Sequence, residues 1–175
     1  NFQYLEFLNV SFKYPKMKEP VFENLSFSIA RNSMIGIVGD SGSGKSTLSK
    51  LISMSIHPDT GNLFLDSFKI EKNLNTKEWR SLFGYVPQKP YLYNDTILRN
   101  ITMNFDDNQI SEEQFNKVNY LCDQVGLKDL INSLPYKFDE IIEDLGANFS
   151  VGQIQRLMLV RELYRNPMIL ILDEP

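Results

Sequence analysis

The stretch that decides the fold is "GDSGSGKST", Gly39 to Thr47. It fits the spacing G-x-x-x-x-G-K-[ST], with Gly39, Gly44, Lys45 and Ser46 in the fixed positions. Glycines let the backbone turn so that successive N–H groups point inward at phosphate oxygens, and a helix opening near Lys45 adds the positive end of its dipole. Lys45 can reach the β- and γ-phosphates of a nucleotide, and the Ser46 hydroxyl is placed to ligate Mg2+. Asp40, Ser41, Gly42 and Ser43 complete the loop, and Thr47 follows it into the helix. Upstream, "SMIGIVG" (33–39) is a nearly continuous apolar run ending in glycine, which predicts a strand buried on both faces and so a parallel sheet. Downstream, "GKSTLSKLISMSI" places Leu48, Leu51, Ile52 and Ile56 at helical spacing, with His57-Pro58 as the stop.

Around this unit the pattern changes. "YLEFLNVSF" (4–12) and "VFENLSFSI" (from 21) are aromatic and β-branched, separated by "KYPKMKEP", and predict antiparallel strands. "GNLFLDSFKI" (61–70) reads as a further strand and "FGYVPQ" (83–88) as a second buried one. From 95 to about 135 the signal is helical: Ser111 and Gln114 make a capping box, and Phe115, Val118, Cys122 and Val125 form one apolar stripe. "IQRLMLVRELYR" (154–165) predicts another helix, and "MILIL" (168–172) another buried strand. The expected class is α/β: a P-loop NTPase (RecA-like) core with a parallel sheet, an N-terminal antiparallel β part and an inserted helical part. The expected division is one domain over 1–175, incomplete at its C-terminus. Within it the ATP-binding core takes 1–90, the helical part 91–150, and a final segment 151–175.

In P-loop NTPases a second buried strand ends in an Asp that holds magnesium, and "ILILDEP" supplies Asp173 in that position. Glu174, the next residue, would then orient or deprotonate the attacking water.

A third stretch, "NFSVGQIQR" from Asn148 to Arg156, resembles the signature of ABC transporter ATPases, Leu-Ser-Gly-Gly-Gln followed by a helix. Ser150, Gly152 and Gln153 match, with Phe149 for Leu and Val151 for the first Gly. The resemblance implies that this segment binds the γ-phosphate of ATP held by a second nucleotide-binding domain, in a homodimer or heterodimer. It also implies that Gln88 in "GYVPQKPYLYNDTILRNI" senses Mg2+ and the γ-phosphate. "YNDTILRNI" is similar to exporter-type members, where this region touches the transmembrane domains. Tyr14 in "VSFKYP" resembles the aromatic that stacks on adenine, and Asp144 the acidic position before the signature. The implied cofactors are ATP and Mg2+. The implied activity is ATP hydrolysis coupled to export, at the cytoplasmic face of a membrane and through transmembrane domains outside this chain. The family continues past the Asp-Glu pair to a histidine near the γ-phosphate; the one histidine here, His57, lies far upstream, so the chain is expected to be cut short.

Charge and composition narrow the alternatives. A formal net charge of -4 and 42% hydrophobic residues suit a globular domain and weigh against a nucleic-acid binder. With one cysteine, Cys122, the chain has no internal disulfide. No apolar run reaches the ~20 residues that span a bilayer. The Asn-x-Ser/Thr triplets at Asn9, Asn24, Asn94, Asn100 and Asn148 read as chance occurrences. Alternatives within the same resemblance are a non-transport ABC-type ATPase or a catalytically weak regulatory fragment. The spacing between phosphate loop and signature leaves no room for a long coiled coil. A GTPase is disfavoured because "NKVN" (116–119) lacks the terminal Asp of the guanine reader.

Overall fold

The computed structural model describes residues 2–70, 76–105, 110–143 and 146–173. They fall into two compact units, Asn1–Ser81 and Leu82–Pro175.

The first unit is built on an antiparallel sheet of order β2-β1-β3-β4, formed by β1 (Tyr4–Phe12), β2 (Phe22–Ala30), β3 (Thr60–Leu65) and β4 (Phe68–Lys69). Both expected N-terminal strands are present and antiparallel. Their aromatic and aliphatic residues bury one face: Leu5, Phe7, Val10 and Phe12 are buried, and Phe7 stacks on Phe27 with centroids 4.6 Å apart. Two Asn-x-Ser repeats shape the pair. Asn9 and Asn24 each adopt φ 51°, a left-handed conformation that asparagine tolerates better than most residues. Each is held by the serine of the other strand: the Asn9 N–H donates to Ser26 Oγ at 2.8 Å and the Asn24 N–H to Ser11 Oγ at 3.0 Å. The register of β1 and β2 slips between these points. Such paired bulges sharpen the local twist.

Two expectations for this unit need correction. The run 61–70 is a hairpin rather than one strand, because Asp66 at φ 53° turns the chain and its Oδ1 accepts from the Gln3 and Tyr4 N–H groups. More consequentially, 33–40 carries no strand assignment, and Met34 and Val38 are 98% and 93% exposed. A run apolar on both faces is stable as a strand only between two neighbours. The antiparallel sheet does not include it, and Met34 and Val38 stay uncovered among the described residues while Ile35 and Ile37 are about half covered. Helix α1 (Lys45–Ile52) follows the glycine loop, with Leu51 and Ile52 buried. It ends before His57-Pro58, because Met54 takes φ 54° and cannot continue a right-handed helix. A short helix unmarked in the sequence, α2 (Thr76–Ser81), closes the unit.

The second unit supplies the parallel pairing. β5 (Phe83–Val86) and β6 (Ile169–Leu172) run side by side, with Tyr85 opposite Ile171 and Val86 opposite Leu172. Around them lie α3 (Ile97–Thr102), α4 (Glu112–Gln124), α5 (Lys128–Ser133), a 3-10 turn at Lys137–Asp139 and α6 (Val151–Tyr164). The expected capping box at Ser111 and Gln114 is formed. Of the expected stripe, Val118 and Cys122 are buried in a core with Leu92, Ile97, Ile101, Leu127, Ile131, Ile142, Phe149, Leu157 and Val160, and Val125 packs against it. Phe115 stays exposed and meets Phe138 edge-on at 5.3 Å. α6 begins three residues earlier than the apolar periodicity indicates, since Ser150 caps it. Its neighbours are α3, α4 and β5.

Candidate functional site

In the first unit the glycine loop turns through left-handed residues into α1. Gly42 and Gly44 take φ 83° and 97°, a region that side chains rarely adopt. Gly44 is also the residue before α1, and a Cβ there would lie 2.7 Å from Val21 Cγ1, so neither its conformation nor its surroundings admit another residue. A Cβ on Gly39 would lie 2.7 Å from Ser43 Oγ. The Ser43 N–H donates to the Asp40 carbonyl at 3.1 Å, which closes the turn. Lys45 folds back over it, with Nζ donating to the Gly39 and Asp40 carbonyls at 2.8 and 2.9 Å. A helix start carries N–H groups that no backbone acceptor satisfies. With glycine in the capping position, α1 has no side-chain cap, and this is where phosphate oxygens accept in such loops. Asp40, Ser41, Gly42, Ser43 and Ser46 are exposed, while Thr47 is buried. Tyr14 joins them: its hydroxyl is 3.2 Å from Thr47 Oγ1, and its ring meets Phe12 edge-on at 4.9 Å. The aromatic expected to face the base is thus tied to the helix that follows the loop. His57, in the same unit, is exposed.

In the second unit Asp173 sits one residue past β6. Its N–H continues the ladder by donating to the Val86 carbonyl at 3.0 Å, and its Oδ2 accepts from the Tyr85 hydroxyl at 2.9 Å. Burial first, and then the neighbouring Asp173 carboxylate, push the Tyr85 phenol up to about 12, so it is a proton donor at neutral pH. Gln88 lies exposed two residues beyond β5. Glu174 and Asp144 lie outside the described residues.

The signature segment opens α6 through reciprocal caps. Ser150 Oγ accepts from the Gln153 N–H at 3.3 Å, and Gln153 Oε1 accepts from the Ser150 N–H at 2.8 Å. Because Oγ serves as acceptor here, its own O–H remains available as a donor. Val151 is exposed, and a Cβ on Gly152 would meet nothing within 4 Å. Glycine inside a helix costs about 1 kcal/mol relative to alanine, and no packing among the described residues requires it there. Phe149, in place of the usual Leu, is buried in the helical core and supplies the apolar anchor that the position needs.

Three contributors were missed by sequence reasoning. Arg161 is buried and donates to the Asn100 carbonyl, Asn100 Oδ1, the Tyr91 carbonyl and Met158 Sδ. Glu162, also buried, accepts from the Tyr85 N–H at 3.3 Å and from Arg165 Nη1 at 3.0 Å. Tyr85 is the third. A charged pair within the otherwise apolar run Leu157–Leu163 was the available signal for the first two. Tyr85 gave none, since a tyrosine in a strand is unremarkable.

Comparison with known proteins shows the family. The family model described as ABC transporter matches residues 22–175. The chain is 38% identical over 171 residues to the ABC multidrug transporter mdr1 of Aspergillus fumigatus, covering 97% of this chain and 12% of that protein. It is 36% identical over 165 residues to the Lactococcin-G-processing and transport ATP-binding protein LagD of Lactococcus lactis, covering 94% and 23%. A solved structure of a bacterial Atm1-family ABC exporter with ATP bound superposes with a TM-score of 0.86 at 33% identity, over 99% of this chain and 29% of that one. The chain therefore spans less than a third of the length of these relatives. No helix among the described residues is long and apolar enough to cross a membrane. The chain belongs to the ABC transporter family and is a nucleotide-binding ATPase domain homologous to those of exporters.

Proposed function

We infer that this domain drives export by enclosing ATP and Mg2+ between its phosphate loop and the signature segment of a second nucleotide-binding domain, with hydrolysis resetting the pair. The observation that carries the reading is the loop at 39–47, whose left-handed glycines, uncapped helix start and folded-back Lys45 form an anion cradle. In this reading Lys45 leaves the Gly39 and Asp40 carbonyls for the β- and γ-phosphates. The ring of Tyr14, tethered to Thr47, carries the adenine. Ser150 donates its hydroxyl proton to the γ-phosphate of the ATP held by the other domain, while the capping box keeps its oxygen in place.

The donors assigned to the metal are a hydroxyl (Ser46), an amide (Gln88) and a carboxylate (Asp173), all hard oxygen ligands of the kind that Mg2+ prefers. When bound, the metal neutralises charge on the β- and γ-phosphates. Gln88 and Asp173 would supply oxygens to hold it, and Glu174 would take a proton from the attacking water. The assembly works at the cytoplasmic face of a membrane, joined to transmembrane domains. Tyr91, Tyr93, Met103 and Phe105, exposed apolar side chains flanking the buried Leu92, Ile97 and Ile101, support a docking role toward them.

The test is nucleotide-dependent pairing of the intact protein. Lys45→Ala should lose most ATP affinity, because a charge-assisted hydrogen bond contributes about 1.5–3 kcal/mol. Glu174→Gln should accumulate ATP-bound pairs. Pairing that is equal with and without nucleotide would overturn the reading. One observation favours a catalytically weak, regulatory variant of it: an exposed Val151 where the family has glycine. Turnover that rises with Val151→Gly would support that second reading.

A further inference from the structure

Asp173 ends β6 with its backbone already set by the hydrogen bond to Val86, so only its side-chain torsions are left to decide where the carboxylate points. β5 settles them. Side chains alternate along a strand, and Tyr85 is opposite Ile171, so Tyr85, Ile171 and Asp173 share a face. From there the Tyr85 ring leans toward the strand ends, and its hydroxyl reaches Asp173 Oδ2 at 2.9 Å. A carboxylate has roughly four acceptor positions, and the Tyr85 bond takes one of them and restrains how the group is turned. Tyr85 is itself fixed on its other edge, where its N–H donates to the buried Glu162, which is paired with Arg165. A phenylalanine would fill the same half-buried strand position. The hydroxyl is the one feature of the residue that packing does not explain.

We propose that Tyr85 is a positioning residue whose hydroxyl holds the Asp173 carboxylate in the orientation that receives a divalent cation beside bound nucleotide. The proposal rests on the reading of Asp173 as a metal ligand given above, and adds to it a residue from the neighbouring strand. Partners that orient a ligand typically change metal affinity by about 10–100-fold when removed.

The experiment uses the intact protein, loaded with a non-hydrolysable ATP analogue and titrated with Mn2+, with free Mn2+ read by electron paramagnetic resonance. Nucleotide affinity is measured separately in chelator. Tyr85→Phe should weaken Mn2+ binding about tenfold and leave metal-free nucleotide affinity unchanged. The double variant Tyr85→Phe/Asp173→Asn should bind Mn2+ no more weakly than Asp173→Asn alone, because the tyrosine acts through the carboxylate. Tyr85→Leu gives the same comparison if Tyr85→Phe does not fold. Wild-type affinity in Tyr85→Phe, beside a clear loss in Asp173→Asn, would overturn the proposal and leave the assignment of Asp173 standing. Unchanged Mn2+ binding in Asp173→Asn would overturn both.

Discussion

Arg161 grips Asn100 twice, with Nε donating to its backbone carbonyl at 2.6 Å and Nη2 to its side-chain oxygen at 2.7 Å. Asn100 in turn holds both ends of the segment before α3: its Oδ1 accepts from the Tyr93 N–H, and its Nδ2 donates to the Tyr93, Asp95 and Thr96 carbonyls. Among the described residues no carboxylate hydrogen-bonds this guanidinium. Carbonyls and the ring of Tyr93, 5.5 Å from Cζ, stand in for one. Burial draws the Arg161 pKa below its ordinary value, while Tyr93 and Glu162 act the other way.

Arg161→Met should therefore destabilise the second unit by about 2–4 kcal/mol, since it strands several buried acceptors. Arg161→Lys should recover little of the loss, because a point charge cannot reproduce the planar fork. Chemical denaturation measures both. A lysine variant as stable as wild type would show that charge alone suffices.

Gly61 takes φ 87°, and a Cβ there would lie 2.4 Å from the Asn9 carbonyl oxygen, beside the bulge of β1. Gly42 has φ 83° with nothing within 4 Å of a Cβ. Strained backbone alone costs about 1–3 kcal/mol. Gly42→Ala should show that cost, and Gly61→Ala should exceed it, read as the shift in denaturation midpoint. Equal losses would mean that the bulge yields to the methyl group.

Ser150 has a structural task besides the one proposed toward phosphate. Ser150→Ala should cost about 1 kcal/mol of stability through the lost cap. Ser150→Asp should retain the cap, yet fail to restore ATP-dependent pairing, since a carboxylate would face the phosphate. Recovery of pairing with aspartate would remove the hydroxyl donor from the mechanism.

Cys122 lies in the helical core, and burial pushes its thiol up to about 12. A thiol reagent at about pH 8 should leave the native protein unlabelled and label it in denaturant. The folded state favours the neutral thiol, so its stabilising contribution is complete below the ordinary thiol pKa and is lost as pH rises toward about 12. Stability measured against pH should fall in that window for wild type relative to Cys122→Val. Parallel curves would mean that the thiol does not titrate against folding.

The sequence by itself determined the features whose cause is local. The phosphate loop was legible because closely spaced glycines set its backbone, and the box at Ser111 and Gln114 because a cap acts over three residues. Strands β1, β2, β5 and β6 declared themselves by alternation or continuous apolarity. The apolar run at 33–39 misled, because periodicity reports what a segment could bury and says nothing about whether neighbours bury it. The break at Asp66 hid inside a strand-like composition. Only the tertiary structure decided which distant residues meet. Tyr85 and Asp173 lie 88 positions apart and join because two parallel strands share a register, and Arg161 reaches Asn100 across 61 because α6 packs on α3. Contacts of that kind depend on how whole elements align, a quantity that no short stretch of chain carries.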